Sequence, residues 1–427
     1  MSIDKVKSFF KQLNIKSYVF IYILLYTIVP IVSYLTSKYL TTYSYMVIVV
    51  ISVLFTFYAC SLKHIKNYMM LIAPFVVYEL LVTISADDND YFLAFYRILL
   101  FMFPICVGYY LTRYPSHYSF FTILAAALFA FSAVTTIIGC IRNPDAARTL
   151  ATIESSQDPT SIKYLKQNIG GYTFVYSAVL LYPCVILGYK MKRLHLAFAI
   201  GFALLVFALA VYSEYTYALM LSLVSTLLFF VKRDISLKRF IMMIVIFSIA
   251  VVLFRTTVAA ILTRIGSFIG NDTMTQKMTA VFIGQEAVDN LDDGRDHLYM
   301  LSIKTFLSHP IFGNFSQGGK GSGNHSFILD NLAVYGLVGG VLMVLMYRCI
   351  FNTFYRPFAE KTGYGFVVWI FIQPIILSAI NTGMWLNNLC LLAPLALCCI
   401  YETDCASLVK KDLKKPMLVH LLKSKET

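Results

Sequence analysis

Apolar runs of the length that crosses a hydrocarbon core of about 30 Å, roughly 17–25 residues each, recur along nearly the whole chain. No other feature constrains the fold as strongly. Lipid offers nothing for a backbone amide to bond, so each run must satisfy its own N–H and C=O groups, and the runs are therefore helices. Twelve spans are expected, at about residues 18–36, 43–62, 68–85, 91–111, 118–140, 172–189, 194–212, 215–231, 240–256, 326–350, 364–381 and 384–401. With 59% hydrophobic and only 13% charged residues, there is too little charged surface to cover a soluble globule of this size. The first run is tyrosine-rich and no small-residue cleavage site follows it, so it reads as a retained helix. The fold class expected is an all-α integral membrane protein with about twelve transmembrane helices and a long, partly helical outer loop between the ninth and tenth.

Basic residues set the orientation, because loops left in the cytoplasm keep Lys and Arg. Alternate connections and the two termini hold 23 of the 35 Lys and Arg residues, which predicts that both termini are cytoplasmic. The net charge of +13 sits beside those helix ends, where anionic lipid headgroups account for it without nucleic acid. Nine cysteines fall mostly inside spans with no CxxC, so they read as packing residues rather than a disulfide framework or a zinc site.

Two connections are too long to be simple turns. The chain divides into helices 1–5 (1–141), a first outer loop (142–171), helices 6–9 (172–256), a second outer loop (257–325), helices 10–12 (326–402) and a basic tail (403–427). In the second loop, residues 272–290 and 294–315 each space their apolar positions for one helical face, and the latter ends before Pro310. Residues 316–324 read as flexible by composition, and Lys320 lies in no Walker A spacing. The polar run GSGNHSFILD (321–330) then leads straight into an apolar helix. Ionisable groups at a membrane edge are costly, so His325 and Asp330 are either watered there or kept for chemistry.

Two stretches carry a resemblance to a known family. One is Arg295 followed by a helix, SHPIFGNF (308–315) and NHSFILDNLAVYGLVGG (324–340); the other is NPDAARTLA (143–151) with IGGYTFVYS (169–177). Together with the late, large outer loop they resemble the O-antigen polymerase and O-antigen ligase superfamily, multipass enzymes acting on polyprenyl-diphosphate-linked sugars. Where many relatives open a span with a Ser-Arg pair, this chain reads YSEYTYALML (212–221) and places Glu214 at the arginine position. Arg148 is a candidate to supply the charge that is missing there.

The resemblance implies transfer of a glycan from a lipid diphosphate to a sugar hydroxyl, at the outer face of a bacterial inner membrane. Arginine suits the leaving diphosphate, since a guanidinium stays charged and bonds phosphate bidentately. Histidine suits removal of the hydroxyl proton. The expected substrate contacts are Arg295, Arg148, Arg97, Glu214, Tyr215 and Tyr172, with Tyr176 beside them at an outer helix end; the expected catalytic residues are His325 and Asp330. Each has a plainer reading: His325 beside a helix cap at Ser326, Asp330 orienting His325 or pairing with Arg97, and Arg97 paired with Glu79 within the membrane. Asp87, Asp88 and Asp90 read as a solvated turn, so no metal or cofactor is implied. The partners implied are a polyprenyl-diphosphate-linked oligosaccharide as donor and acceptor, membrane lipids and a chain-length regulator. AARTLA and the absent Ser-Arg pair lean toward a polymerase over a ligase. A transporter or lipid-linked-sugar flippase is the rival from another class, disfavoured because no internal repeat is evident.

Overall fold

The structure is a computed structural model that describes residues 28–39 with four positions just before them, isolated positions between 73 and 84, and residues 118–152, 158–269, 295–314, 322–381, 383 and 388–401. The expected spans at 43–62 and 91–111, the surface helix at 272–290 and the basic tail lie outside the described residues, as does nearly all of 68–85. Among the described residues the chain is all-helical, with no strand.

In chain order the helices are α1 (Pro30–Tyr39), α2 (Tyr118–Arg142), α3 (Ala146–Thr152), α4 (Pro159–Lys166), α5 (Tyr172–Lys190), α6 (Leu196–Tyr212) and α7 (Thr216–Thr226). There follow α8 (Leu237–Leu253), α9 (Arg255–Ile269), α10 (Arg295–Ser308), α11 (Phe327–Ile350), α12 (Arg356–Thr362), α13 (Tyr364–Ile380) and α14 (Ala393–Tyr401). Three stretches, Leu124–Arg142, Tyr172–Lys190 and Phe327–Ile350, are long and apolar enough to cross a membrane, and α8 with the start of α9 makes a fourth if that bent pair is one span. Helices α6, α7 and α13 are apolar but shorter. By length and composition these are the helices of a membrane protein. The expected ninth span ends differently from its reading: instead of entering a loop at 257, the chain turns by 75° at Phe254 and continues as α9.

Helix α5 is the hub, packing against α6, α7, α13 and α14. Its apolar residues line the core, with Tyr176 and Tyr182 among the largest fully buried side chains. Large apolar residues such as Leu204, Ile246 and Val344 face outward instead, which in a bilayer is the lipid side. Apolar contact alone does not hold such helices together, because lipid tails are as apolar as leucine; close packing and interhelical hydrogen bonds do so, the latter at about 0.6 kcal/mol each on average. Here Trp369 Nε1 and Gln373 Nε2 of α13 both donate to Ser225 Oγ of α7, at 3.1 and 2.6 Å. Tyr182 and Thr226 share a hydrogen bond at 3.1 Å, and Tyr355 donates to the Leu389 carbonyl at 2.8 Å.

The segment 158–170 is tied to the bundle by Asn168. Its side chain accepts from Ile31 N (3.1 Å) and donates to Thr135 Oγ1 (2.9 Å), while Gly170 N donates to Thr136 Oγ1 (2.8 Å). Those bonds seat α3 and α4 beside the start of α5. Asp158 caps α4 by accepting from Ser161 N at 2.7 Å, with Pro159 opening the helix.

Helix α11 is not continuous, contrary to the uninterrupted span the sequence predicts. Gly336 adopts φ 60° and ψ −154° within it, a conformation essentially reserved for glycine. The break frees backbone groups that lipid would leave unbonded, and the chain just after α10 fills it. Leu337 N donates to the Pro310 carbonyl (2.9 Å), Val338 N to Ile311 (3.2 Å), and Asn314 N to Ala333 (2.8 Å). Gly313, at φ 67°, and Gly336 face each other so closely that a Cβ on either would run into the opposite backbone.

The hairpins and their ties sort the ends of the bundle. Residues 142–152, 158–172, 212–216, 322–327 and 380–381 lie at one end; Lys190, Lys232, Arg233, Arg356 and Lys361 lie at the other, where Gly365 N donates to Ile235 O (3.1 Å) and Lys190 Nζ to Phe229 O (2.7 Å).

Alanine at Gly336 must adopt that backbone, which costs on the order of 1–3 kcal/mol before the clash is counted. Gly336→Ala and Gly313→Ala are each expected to lower the thermal midpoint of the detergent-solubilised protein. Gly201→Ala, inside α6 at a position with open space around it, should not lower it, because alanine is the better helix former there.

Candidate functional site

Two clusters of chemistry-bearing side chains occupy the end of the bundle that carries the long loops. The first joins α10 to the start of α11. Ser326 is the N-cap of α11, its Oγ accepting from Leu329 N at 3.1 Å. Asp330, one turn in, folds back so that Oδ2 accepts from Ser326 N (3.0 Å) while Oδ1 accepts from Ser302 Oγ of α10 (2.6 Å). Ser302 Oγ also accepts from Gly323 N at 2.8 Å. The next amide along, Phe327 N, donates to the Asn381 carbonyl at the end of α13 (2.8 Å). The loop around His325 is thus held at positions 323, 326 and 327, and the residue before His325, Asn324, sits at φ 54°. Non-glycine residues in this left-handed region are uncommon and gather at functional positions.

His325 itself is half-buried and makes no hydrogen bond or ion pair among the described residues. It precedes the cap rather than providing it. Asp330 has both carboxylate oxygens engaged in fastening the loop on either side of His325. Arg295 is the first residue of α10, two helical turns before Ser302. Arg97 and Glu79, and any pairing of Arg97 with Asp330, lie outside the described residues.

The second cluster joins α3, α5 and the turn between α6 and α7. That turn is a Schellman motif, in which Glu214 N donates to Val211 O (3.1 Å) and Tyr215 N to Ala210 O (3.2 Å). Glu214 holds the left-handed position at φ 58° that glycine ordinarily takes. Its side chain is only 2% exposed, and Oε2 lies 3.9 Å from Arg148 Nη1, whose side chain is 35% exposed. The two residues singled out in the sequence, Glu214 and Arg148, are therefore partners. Tyr215 donates its hydroxyl proton to the Ala147 carbonyl at 2.7 Å. Burial pushes that phenol well above its usual range, with Tyr176 and Cys140 adding to the effect and Arg148 opposing it. Tyr172, Tyr176 and Tyr215 form a ring cluster with centroids 4.5, 5.3 and 5.6 Å apart.

The structure brings together Arg148, Glu214, Tyr172 and Tyr215 as one group, and His325 and Asp330 as another. Both rest on the same apolar core, which Tyr172, Tyr215, Phe327 and Ile380 all touch. Sequence reasoning missed Ser302. Its one signal is a spacing of seven from Arg295, which returns to the same helix face. Compared with known protein families, curated proteins and solved structures, the chain shows no match.

Ser302 is 1% exposed; Ser302→Ala strips the Gly323 amide of its acceptor and Asp330 of a donor, a loss of roughly 1–3 kcal/mol for the stranded group. Hydrogen–deuterium exchange over 322–330 should quicken in Ser302→Ala. It should not do so in Ser308→Ala, whose hydroxyl bonds its own helix and the adjacent His309.

Proposed function

We propose that the chain is a polymerase that joins polyprenyl-diphosphate-linked repeat units of a surface polysaccharide on the outer face of a bacterial inner membrane. The observation that carries the reading is His325, an imidazole with no partner among the described residues, on a loop fastened at Gly323, Ser326 and Phe327. A general base must reach its proton without rearranging, and a loop held on both sides meets that need. The resemblance of 295–340 to the superfamily supplies the reaction class.

In the reaction, a hydroxyl of one lipid-linked glycan attacks the anomeric carbon of another. The bond from that carbon to the diphosphate breaks, and His325 takes the hydroxyl proton. Charge developing on the leaving diphosphate is met by Arg295 at the head of α10. The guanidinium fork matches two phosphate oxygens at once, which a lysine ammonium does not. Asp330 and Ser302 keep His325 in place and do not touch substrate.

The test is detergent-purified protein incubated with a lipid-linked repeat unit, with products resolved by size. A ladder formed without a separate acceptor is expected; a single transfer that requires another acceptor would indicate a ligase, and no new bond at all would indicate transport. His325→Gln retains hydrogen bonding but is no base at neutral pH, and should cut chain formation about 100-fold or more. Arg295→Lys should fall sharply while the protein still folds. Near-normal ladders from His325→Gln would remove the proposed base.

A further inference from the structure

We infer that Arg148, Glu214 and the tyrosines at positions 172, 176 and 215 form a subsite for an uncharged sugar ring, separate from the place where the diphosphate binds; the inference rests on the reading of the substrate as a glycan. The charge balance comes first. Arg148 alone would attract phosphate, but the Glu214 carboxylate lies 3.9 Å from it and is almost wholly buried. The pair sums to zero, and a diphosphate contacting Arg148 would be brought close to a carboxylate that water scarcely screens. An anion is therefore disfavoured where a neutral polar ligand is not.

The donors fit hydroxyl groups. A guanidinium donates several hydrogen bonds in a fixed plane, so the exposed part of Arg148 can serve hydroxyl oxygens, while Glu214 beneath it balances the charge and holds the guanidinium. The rings fit the remainder of a sugar. Tyr172 and Tyr215 keep part of their surface exposed, and they meet edge to face over Tyr176, which is 2% exposed. Tyr215 is fixed by its bond to Ala147 O at 2.7 Å. Rigid aromatic surface beside a few placed polar groups is the usual composition of a small-molecule site, and the apolar C–H face of a pyranose is the part that packs on such a ring. The strained backbone of Glu214, at φ 58°, places an acid where glycine would fold more easily, as happens where local strain serves a site.

The measurement is the thermal midpoint of protein in a detergent without a sugar headgroup and with no lipid-linked substrate present. The probes are inorganic pyrophosphate and, each at high millimolar concentration, glucose, galactose, mannose, rhamnose, N-acetylglucosamine and N-acetylgalactosamine. At least one sugar should raise the midpoint by about 2 °C or more, and the rise should vanish in both Glu214→Gln and Tyr172→Leu. Two variants are used so that misfolding of one is not mistaken for loss of binding. Any response to pyrophosphate in the unaltered protein should survive Arg148→Ala. In Glu214→Gln, where the negative charge 3.9 Å from Arg148 is gone, a response to pyrophosphate that depends on Arg148 should appear. The subsite is overturned if no sugar in the panel responds, or if pyrophosphate stabilises the unaltered protein only while Arg148 is present. Sugar binding without any polymer ladder would sink the polymerase reading and leave the subsite standing; ladders with no sugar response would do the reverse.

Discussion

A backbone amide in lipid has no bonding partner but the protein itself, and the break in α11 shows how much of this molecule follows from that constraint. Gly336 turns the helix out of register, and the freed groups at 333, 337 and 338 bond to the backbone of 310–314. Residues 310–314 are thus stitched into α11 rather than lying beside it. The same stitch sets where α10 lies against α11, so Ser302 can reach Asp330 and Gly323. His325 is presented by this chain of backbone contacts, and its position is a property of the membrane helices rather than of a free loop.

Ionisable groups follow a parallel rule. Asp330 sits one turn inside α11, yet both its oxygens accept hydrogen bonds, and it lies in the first turn, where the helix end favours a negative charge. Glu214 is more deeply buried and has Arg148 within 3.9 Å. The two acids solve the cost of burial differently, one with neutral donors and the other with a cation. That difference separates a fastening from a site able to meet a ligand, because Arg148 remains one-third exposed.

Much of the fold was legible because membrane helices announce themselves by composition over a window longer than any other element. The ranges of α2, α5, α6, α11 and α13 are close to those read from apolar runs, and α10 stops at Ser308, just before Pro310, as its spacing and the proline indicated. The kink at Phe254 and the break at Gly336 were not legible: a glycine among apolar residues looks the same in a straight helix, and its partner carbonyls belong to a distant stretch. The site was half legible. His325, Asp330, Arg148 and the tyrosines were found as residue types at outer helix ends, but the pairing of Arg148 with Glu214 joins two turns far apart in sequence. Glu214 carried a signal of its own, as an acid where the family pattern has an arginine, and its meaning needed the fold.

The stitch also orders events during synthesis. Residues 310–314 precede the helix they complete, so by the time residues 333–338 leave the ribosome their bonding partners have already been made. Had the order been reversed, α11 would enter the bilayer with bare amides at its middle and wait for a later segment to cover them. As the chain is arranged, residues 310–314 are made first, and the groups freed at Gly336 meet partners that already exist.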